Sequence, residues 1–437
     1  MSIDFYKEFG ELGYLANYSN HGFYKDGVYF KTVEHYYQSH KFNNVEIINK
    51  IINSETPKEA SNIGRDRNNI RIDNFKDIKD NIMFEGCLEK FRQNKDIRSK
   101  LIETRNKDIR EMTINEYYWG IGDNLTGKNT IGKILMKVRE IVKEELLEEI
   151  INNCKNKKVY IIGHHKPDAD SIISTVLLSN ILKELGIDAV PSIRDNNIID
   201  KELINDYIEG KLEVIDDYNN KHFILVDHNN LDGIPKDNVI ASIDHHRITN
   251  EVEDLIEIEY ASTALLIYDL FKNKYDFNNK EKELIGLSVL SDTEYLTSSR
   301  FTNEDKKLYD ELNINLDVNN LKKKYFKTTN FNNDISSNLK EDYKEYNRNG
   351  NIIRRSLIKS YSKEKELFYD SYIEEMNNNN IDLLIWCDYE SNKTYIHYND
   401  LDIIFPYFTT SSNLIIDELE NNYYKSSKTR WYKINLL

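Results

Sequence analysis

Four runs of this chain each deliver metal-capable side chains just after a short apolar stretch. "VYIIGHHKPDADS" (159–171) presents His164, His165, Asp168 and Asp170, and "ILVDHNN" (224–230) presents Asp227 and His228. "SIDHHR" (242–247) presents Asp244, His245, His246 and Arg247, and "GLSVLSDT" (286–293) presents Asp292. Mixed imidazole and carboxylate donors suit Mn²⁺, Fe²⁺, Co²⁺ or Zn²⁺, whereas carboxylate alone points to Mg²⁺. Two such ions about 3.5–4 Å apart can share a bridging carboxylate and a bridging water, and clamp the oxygens of an in-line phosphoryl displacement. Arg247 or Lys166 would neutralise the remaining phosphate charge. Each residue alone has an ordinary explanation, because a strand-end Asp forms turns and a lone His is most often a hydrogen-bonded surface residue. Four such runs, all read as strand-like, carry more weight, since ligands of open parallel sheets bind at the carboxyl ends of strands. His228 is the member expected to stand aside.

A second group lies in the first third of the chain. "GVYFKTVEHYYQSHKF" (27–42) packs Glu34, His35, Gln38, His40 and Lys41 among aromatic residues. "NIGRDR" (62–67), "KFRQNKDIR" (90–98) and "INEYYWGIGDNLTGKNTIGKILMKVR" (114–139) follow it. N-glycosidic cleavage needs little machinery. A carboxylate beside an oxocarbenium-like centre stabilises charge and orients water, and a second polar group helps the base leave. Glu34 and Glu116 are the candidate carboxylates, and Tyr and Trp faces can stack a base. The glycines near Trp119, Asn124 and Asn129 let backbone amides approach a ligand. An aromatic core with a capped helix gives the same pattern, so spacing alone leaves both explanations open.

The elements that must position these residues follow from pattern. "KVYIIG", "FILVDH", "VIASIDH" and "LIEIEYA" are short β-branched runs expected as buried strands. Helical stretches separate them, such as "SIISTVLLSNILKELGI", with Gly186 at its end, and the alternation predicts a parallel α/β sheet. "SETPKEASNIG" (54–64) reads as a helix opened by Pro57 and closed by Gly64. "GKILMKVREIVKEELLEEIINNCKNKK" (132–158) reads as a long helix whose last turns serve as a linker. After about residue 315 the chain turns Asn- and Lys-rich, with weaker strand signals in "DLLIWCDY", "KTYIHY" and "LDIIFPYF" and loops at Asn runs such as Asn377 to Asn380. The fold class is therefore multidomain. A mainly α-helical α+β N-terminal domain (1–145) precedes a helical linker (146–157), an α/β domain with a parallel sheet (158–315) and a smaller α/β C-terminal lobe (316–437).

At 437 residues the chain has room for two or three domains. Its net charge of −15 weighs against nonspecific nucleic-acid binding, which needs a basic footprint. Three widely spaced cysteines suggest reduced thiols and a cytoplasmic location. The start has no apolar h-region, and no apolar run approaches about 18 residues, so neither a signal peptide nor a membrane span is expected.

"GHHKPDADS", "VDHN", "DHHR" and "LSDT", in that order, resemble the DHH phosphoesterases, and within them the manganese-dependent (family II) inorganic pyrophosphatases. The resemblance covers about 158–315. It implies two Mn²⁺ ions, with Mg²⁺ or Co²⁺ as alternatives. His164 and Asp168 would hold one ion, Asp170, His245 and Asp292 the other, Asp227 would bridge both, and His246 would face the substrate phosphate. Lys166 stands where those enzymes usually have Asn, and Ala169 where they usually have Thr. The C-terminal lobe would be DHHA2-like, with Lys428 and Arg430 of "SSKTR" as a phosphate clamp beside Arg247. In the first block, "VEHYYQ", "GRDR", "KFRQN" and "YWGIG...GKNTIGKILMKVR" resemble the NADAR (YbiA-like) family, whose members are associated with N-glycosidase chemistry on riboflavin-pathway intermediates and ADP-ribose conjugates. Glu34 falls at that family's active-site Glu. Glu116 falls where an Asp usually precedes the YWG run, and Phe75 where Trp is common. Lys41, Arg65, Trp119 and Asn129 would line the ligand site. Together the resemblances imply a bifunctional hydrolase acting on a small-molecule nucleotide or pyrophosphate, with no membrane partner, nucleic acid disfavoured, and a homodimer allowed as its assembly. Two alternatives remain at this point: the first block only binds ADP-ribose, or the protein removes ADP-ribose from modified nucleic acid bases.

Overall fold

The computed structural model describes residues 2–246, 255–257, 259–296, 298, 300–325, 328–341, 343–348, 351–360, 362–388, 393–398, 416–420 and 423–426. Two compact units emerge: residues 1–165, 175–196 and 212–259 make the first, and 166–174, 197–211 and 260–437 the second.

In the first unit, strand β1 (Ser2–Phe5) pairs in parallel with a later strand, and the helices α2 (Pro57–Arg65) and α3 (Phe75–Gln93) both pack on α1 (Val33–Ser39). Their starts are written locally. Thr32 accepts from the His35 amide to cap α1, and Thr56 caps α2 ahead of Pro57. Gly64 does not close α2, which runs on to Arg65. It is a buried helical position where a Cβ would collide with Gln38 Oε1. Close approach, not a left-handed turn, requires glycine there.

Strand β2 (Asp108–Glu111) partners β1, and α4 (Thr130–Cys154) then runs 25 residues, about 37 Å at helical rise. Its final turns bury Leu146, Leu147, Ile150 and Cys154 and pack against a strand of the sheet that follows. The Arg105 guanidinium adds a hydrogen bond to the Glu259 carbonyl at 3.1 Å.

The sheet contains β3 (Lys158–Ile162), which leads into α5 (Ala169–Glu184), then β4 (Asp188–Ile193), β5 (Glu213–Val214), β6 (His222–Val226), β7 (Val239–Asp244) and β8 (Leu255–Glu257). Every pairing in it is parallel, in the order β8-β7-β6-β3-β4-β5. The expected strands and the turn at Gly186 (φ +81) are all present. The chain builds outward from β3 in one direction, then jumps to β6 and builds in the other. β3 and β6 therefore flank the point where strand order reverses, the place where such sheets bind ligands.

In the second unit, α6 (Thr263–Phe271) packs on α7 (Asn279–Asp292). The run "GLSVLSDT", read as strand-like, is the second half of α7. Asn278 and Glu281 form a reciprocal capping box that fixes a helix start, and a short apolar run by itself cannot distinguish strand from helix. A mixed sheet follows: β9 (Lys344–Arg348), β10 (Asn351–Ser360), β11 (Leu383–Asp388) and β12 (Lys393–Tyr398), with α8 (Ser362–Asn378) before β11, and β13 (Ile416–Glu420) and β14 (Tyr423–Ser426) at its far edge. "DLLIWCDY" and "KTYIHY" are strands as expected, while "LDIIFPYF" lies outside the described residues. The Asn run is a loop only in its second half. α8 continues through Asn378, and Asn380 at φ +53 ends it in the left-handed region that Asn tolerates.

Trp386 is fully buried at the centre of this unit, stacked on Phe331 at 5.7 Å and edge-on to Tyr372 at 5.2 Å. Trp386→Ala removes the largest side chain of that core and is expected to destabilise it by about 3–5 kcal/mol, read by urea unfolding with fluorescence detection.

Candidate active sites

Glu34 sits in the first turn of α1 and is only 4% exposed. A buried carboxylate needs donors, and three side chains supply them. Asn17 Nδ2 donates to Oε2 at 2.6 Å, Gln38 Nε2 to Oε1 at 2.6 Å and the Tyr18 hydroxyl to Oε1 at 3.4 Å. Gln38 lies one turn along α1, on the same helix face. Burial pushes the Glu34 carboxyl above the ordinary glutamate range, against the Gln38 hydrogen bond and the nearby charges of Lys41 and Arg65.

Beside it stands an aromatic wall. Tyr37 meets Phe75 at 5.4 Å and Trp119 at 5.7 Å, both edge-to-face. The Lys41 ammonium lies over the Tyr37 and Phe75 rings at 5.1 and 5.5 Å, and burial pulls its pKa down to about 8. Arg65, the last residue of α2, is exposed, yet its charge acts on Glu34. Glu34, Lys41, Arg65, Phe75 and Trp119 are thus linked by direct contacts or by electrostatics.

Two other candidates make hydrogen bonds to the backbone. Glu116 Oε1 accepts from the Tyr118 and Trp119 amides, both at 3.1 Å, and so braces the turn that presents Trp119. Asn129, at φ +52 ahead of α4, accepts from the Glu111 amide and donates to the Ile109 carbonyl, prolonging the edge of β2. The sequence reading had overlooked Asn17, Tyr18 and Gln38 as partners of Glu34. Gln38 was within reach of it, because i and i+4 share a face, whereas residues 17 and 18 come together with Glu34 only in the fold.

The sheet edge carries the second constellation. Asp227 directly follows β6, is nearly fully buried and takes φ +61. His164 Nε2 lies 3.3 Å from Oδ2, while His245 Nε2 and His246 Nδ1 lie 3.3 and 3.5 Å from Oδ1. Burial opposes ionisation of Asp227, but the imidazoles overcome it and hold the carboxyl below its usual range. Ligand atoms of Asp227, His245 and His246 all lie within 4.8 Å of one another. This mix of imidazole nitrogen and buried carboxylate fits a divalent transition metal. Asp244 is committed to His246, whose Nδ1 is 2.8 Å away, and to Asn229 at 2.6 Å.

His228 stands aside for a definite reason. Its Nδ1 donates to the Val226 carbonyl, so Nε2 carries the lone pair, and that accepts from Arg194 Nη2 at 2.6 Å. Arg194, which sequence reading had overlooked, follows β4 and is buried. It also donates to the Gly163 carbonyl at 3.0 Å and the Asp232 carbonyl at 3.3 Å, tying the ends of β3, β4 and β6 together.

Asp168, Asp170 and Asp292 belong to the second unit. Asp168 Oδ1 accepts from the Ser171 amide at the start of α5. Asp170 is fully buried and accepts from the Thr263 and Ala264 amides at the N-terminus of α6 (2.7 and 3.0 Å), from Ser288 at 2.6 Å and from Ser174 at 3.2 Å. Such donors orient a carboxylate. Asp292 is the last residue of α7. Arg247, Lys428 and Arg430 lie outside the described residues.

Comparison with known proteins matches residues 4–143 to the NADAR domain and residues 158–291 to the N-terminal domain of the DHH family. The chain is similar to the N-glycosidase Npun_R5314 of Nostoc punctiforme, 38% identical over 33% of this chain and 96% of that protein. It is also similar to the N-glycosidase YbiA of Escherichia coli, 33% identical over 32% of this chain and 86% of that one. Among solved structures, one from Methanococcus jannaschii, assigned to the family II inorganic pyrophosphatases, aligns over 58% of this chain and 92% of its own at 22% identity and a TM-score of 0.42.

The raised pKa of Glu34 has a signed consequence for stability. An acid that holds its proton more tightly folded than unfolded costs stability once pH rises above the unfolded value, and the cost vanishes below it. Glu34→Gln is therefore expected to raise the thermal midpoint at pH 7–8, with the difference closing as pH falls through the ordinary glutamate range, read by calorimetry across pH.

Proposed function

The chain belongs to the NADAR family and carries the DHH N-terminal domain, which makes it a hydrolase, and on that footing we propose that it has two centres: one cleaves an N-glycosidic bond, the other a phosphoanhydride. The observation that carries the first is a single buried glutamate held by three donors beside an aromatic wall. The relatives named N-glycosidases match over this same block.

At this centre Glu34 is the catalytic carboxylate. Its donors keep it available as the ionised form, oriented to stabilise positive charge developing on the sugar and to align water. Trp119 and Tyr37 offer faces for the base or sugar. Lys41 and Arg65 supply positive charge for a phosphate, and the partly desolvated Lys41 ammonium gains most from meeting an anion. Glu116 acts through the Trp119 turn, and Asn129 through the β2 edge. The substrate class is a phosphorylated ribonucleotide of the ADP-ribose kind.

At the second centre, the ligand set follows the sequence resemblance: His164 and Asp168 for one ion, Asp170, His245 and Asp292 for the other, and Asp227 shared. Mn²⁺ is the proposed metal. Bound there, it would supply an acidified water and charge neutralisation on the phosphate oxygens. The protein's own part is to hold Asp227 ionised against burial, to fix Asp244 on His246 so that this half-exposed imidazole faces substrate, and to keep His228 out of the ligand set through Arg194. Arg247, Lys428 and Arg430 complete the phosphate contacts. Residues 1–145 are assigned to glycosidic cleavage, 146–157 to the linker, 158–315 to the phosphoesterase and 316–437 to the substrate lobe. The location is cytoplasmic, and the two reactions act on one metabolite.

The test is product analysis on NAD, ADP-ribose and pyrophosphate with Mn²⁺. Asp227→Ala is expected to abolish phosphate release and leave base release intact, and Glu34→Gln to do the reverse. Phosphate release surviving Asp227→Ala would remove the proposed metal centre, and base release surviving Glu34→Gln would remove Glu34 as its catalyst.

A further inference from the structure

Lys90 on α3 is fully buried, and among the described residues no carboxylate partners it. Its ammonium donates to the Tyr14 carbonyl at 2.8 Å, the Ala16 carbonyl at 3.1 Å and the Ser19 hydroxyl at 3.3 Å, which uses all three of its hydrogens. All three acceptors belong to one short segment, residues 14–19. That segment has little structure of its own: a 3₁₀ turn at Gly13–Leu15 with no side-chain cap, then turns.

The same segment supplies two of the three side-chain donors to Glu34. Asn17 and Tyr18 donate to its carboxylate, and the Asn17 carbonyl accepts from the Glu34 amide at 3.0 Å. A bare ammonium in a protein interior is costly, and an apolar side chain of similar volume would serve packing alone at least as well. Burial accordingly draws the Lys90 pKa down to about 8.

We propose that Lys90 is a positioning residue for Glu34: it pins residues 14–19 so that Asn17 and Tyr18 stay aimed at the carboxylate. The inference rests on the role given to Glu34 above. Lys90 touches neither Glu34 nor the aromatic wall, so it acts only through the segment it holds. Loss of the Asn17 and Tyr18 donors removes support for the ionised form and moves the Glu34 titration to higher pH. The other groups acting on that titration are Gln38 on α1, Lys41 just beyond its end, and Ser61 and Arg65 on α2, with Tyr37 nearby. Cys87, on its own helix, and His21 face Lys90.

The experiment compares wild type, Lys90→Met and Ser19→Ala in the full chain. It reads the Glu34 carboxyl titration by carbon NMR, base release from NAD, and the thermal midpoint. Lys90→Met is expected to fold, to raise the Glu34 titration midpoint, and to lower kcat by about tenfold or more with KM little changed. Ser19→Ala, which deletes the longest of the three contacts, shifts the titration the same way by less. If both variants titrate Glu34 as wild type does, the inference is wrong. Should Lys90→Met fail to fold, the Ser19→Ala titration decides alone. Glu34→Gln retaining base release would instead remove Glu34 as catalyst and leave the Lys90 result to stand on the titration.

Discussion

A carboxylate taken out of water must find donors or a cation, and both candidate sites of this chain are built around one that has done so. Asp227 is met by imidazoles from the ends of two strands and stays ionised despite burial. Glu34 is met by neutral amides and a phenol, which compensate less, so its pKa rises. The two environments push like groups in opposite directions. That is the pattern expected when one is to hold cations and the other to stabilise a developing cation and exchange protons.

The surrounding fold exists largely to satisfy those demands. At the sheet, the reversal of strand order opens a place between β3 and β6, and Arg194 fastens the loops that leave β3, β4 and β6. In the first block, a glycine at position 64 lets α2 approach α1 closely enough to press on Gln38, and Lys90 holds the segment on the other side of Glu34. Arg194 and Lys90 are each a buried cation whose acceptors are mainly backbone carbonyls of functional loops.

Much of this was legible in the sequence. Short β-branched runs ending in Asp and His gave the parallel sheet and the residues at its edge, because period and composition act locally. The aromatic-rich run around Glu34 gave its helix and its wall for the same reason. Other features depend on what the fold brings together. Asn17 and Tyr18 meet Glu34 through a loop that has no pattern. Gly64 looked like a helix end and is a contact point. Glu116, read as a candidate carboxylate, also accepts two backbone amides through Oε1. Asp292 looked like a strand end and closes a helix, since the capping box that decides the matter precedes the apolar run by several residues. In each case side-chain type suggested a role, and the partner's position decided it.

Within the first unit α4 starts after the Trp119 loop and packs against β7, and the chemistries proposed for the two centres place different demands on solution conditions. The glycosidic cleavage proposed at Glu34 draws on protein groups, whereas the centre proposed at Asp227 would take a divalent metal. The most direct measurement follows base release and phosphate release by wild-type protein from NAD, ADP-ribose and pyrophosphate, first with Mn²⁺ and then after exhaustive chelation. Two independent centres predict that chelation abolishes phosphate release, leaves base release at its original rate, and is reversed by added Mn²⁺. Base release that disappears with the metal, or phosphate release that survives its removal, would contradict the account.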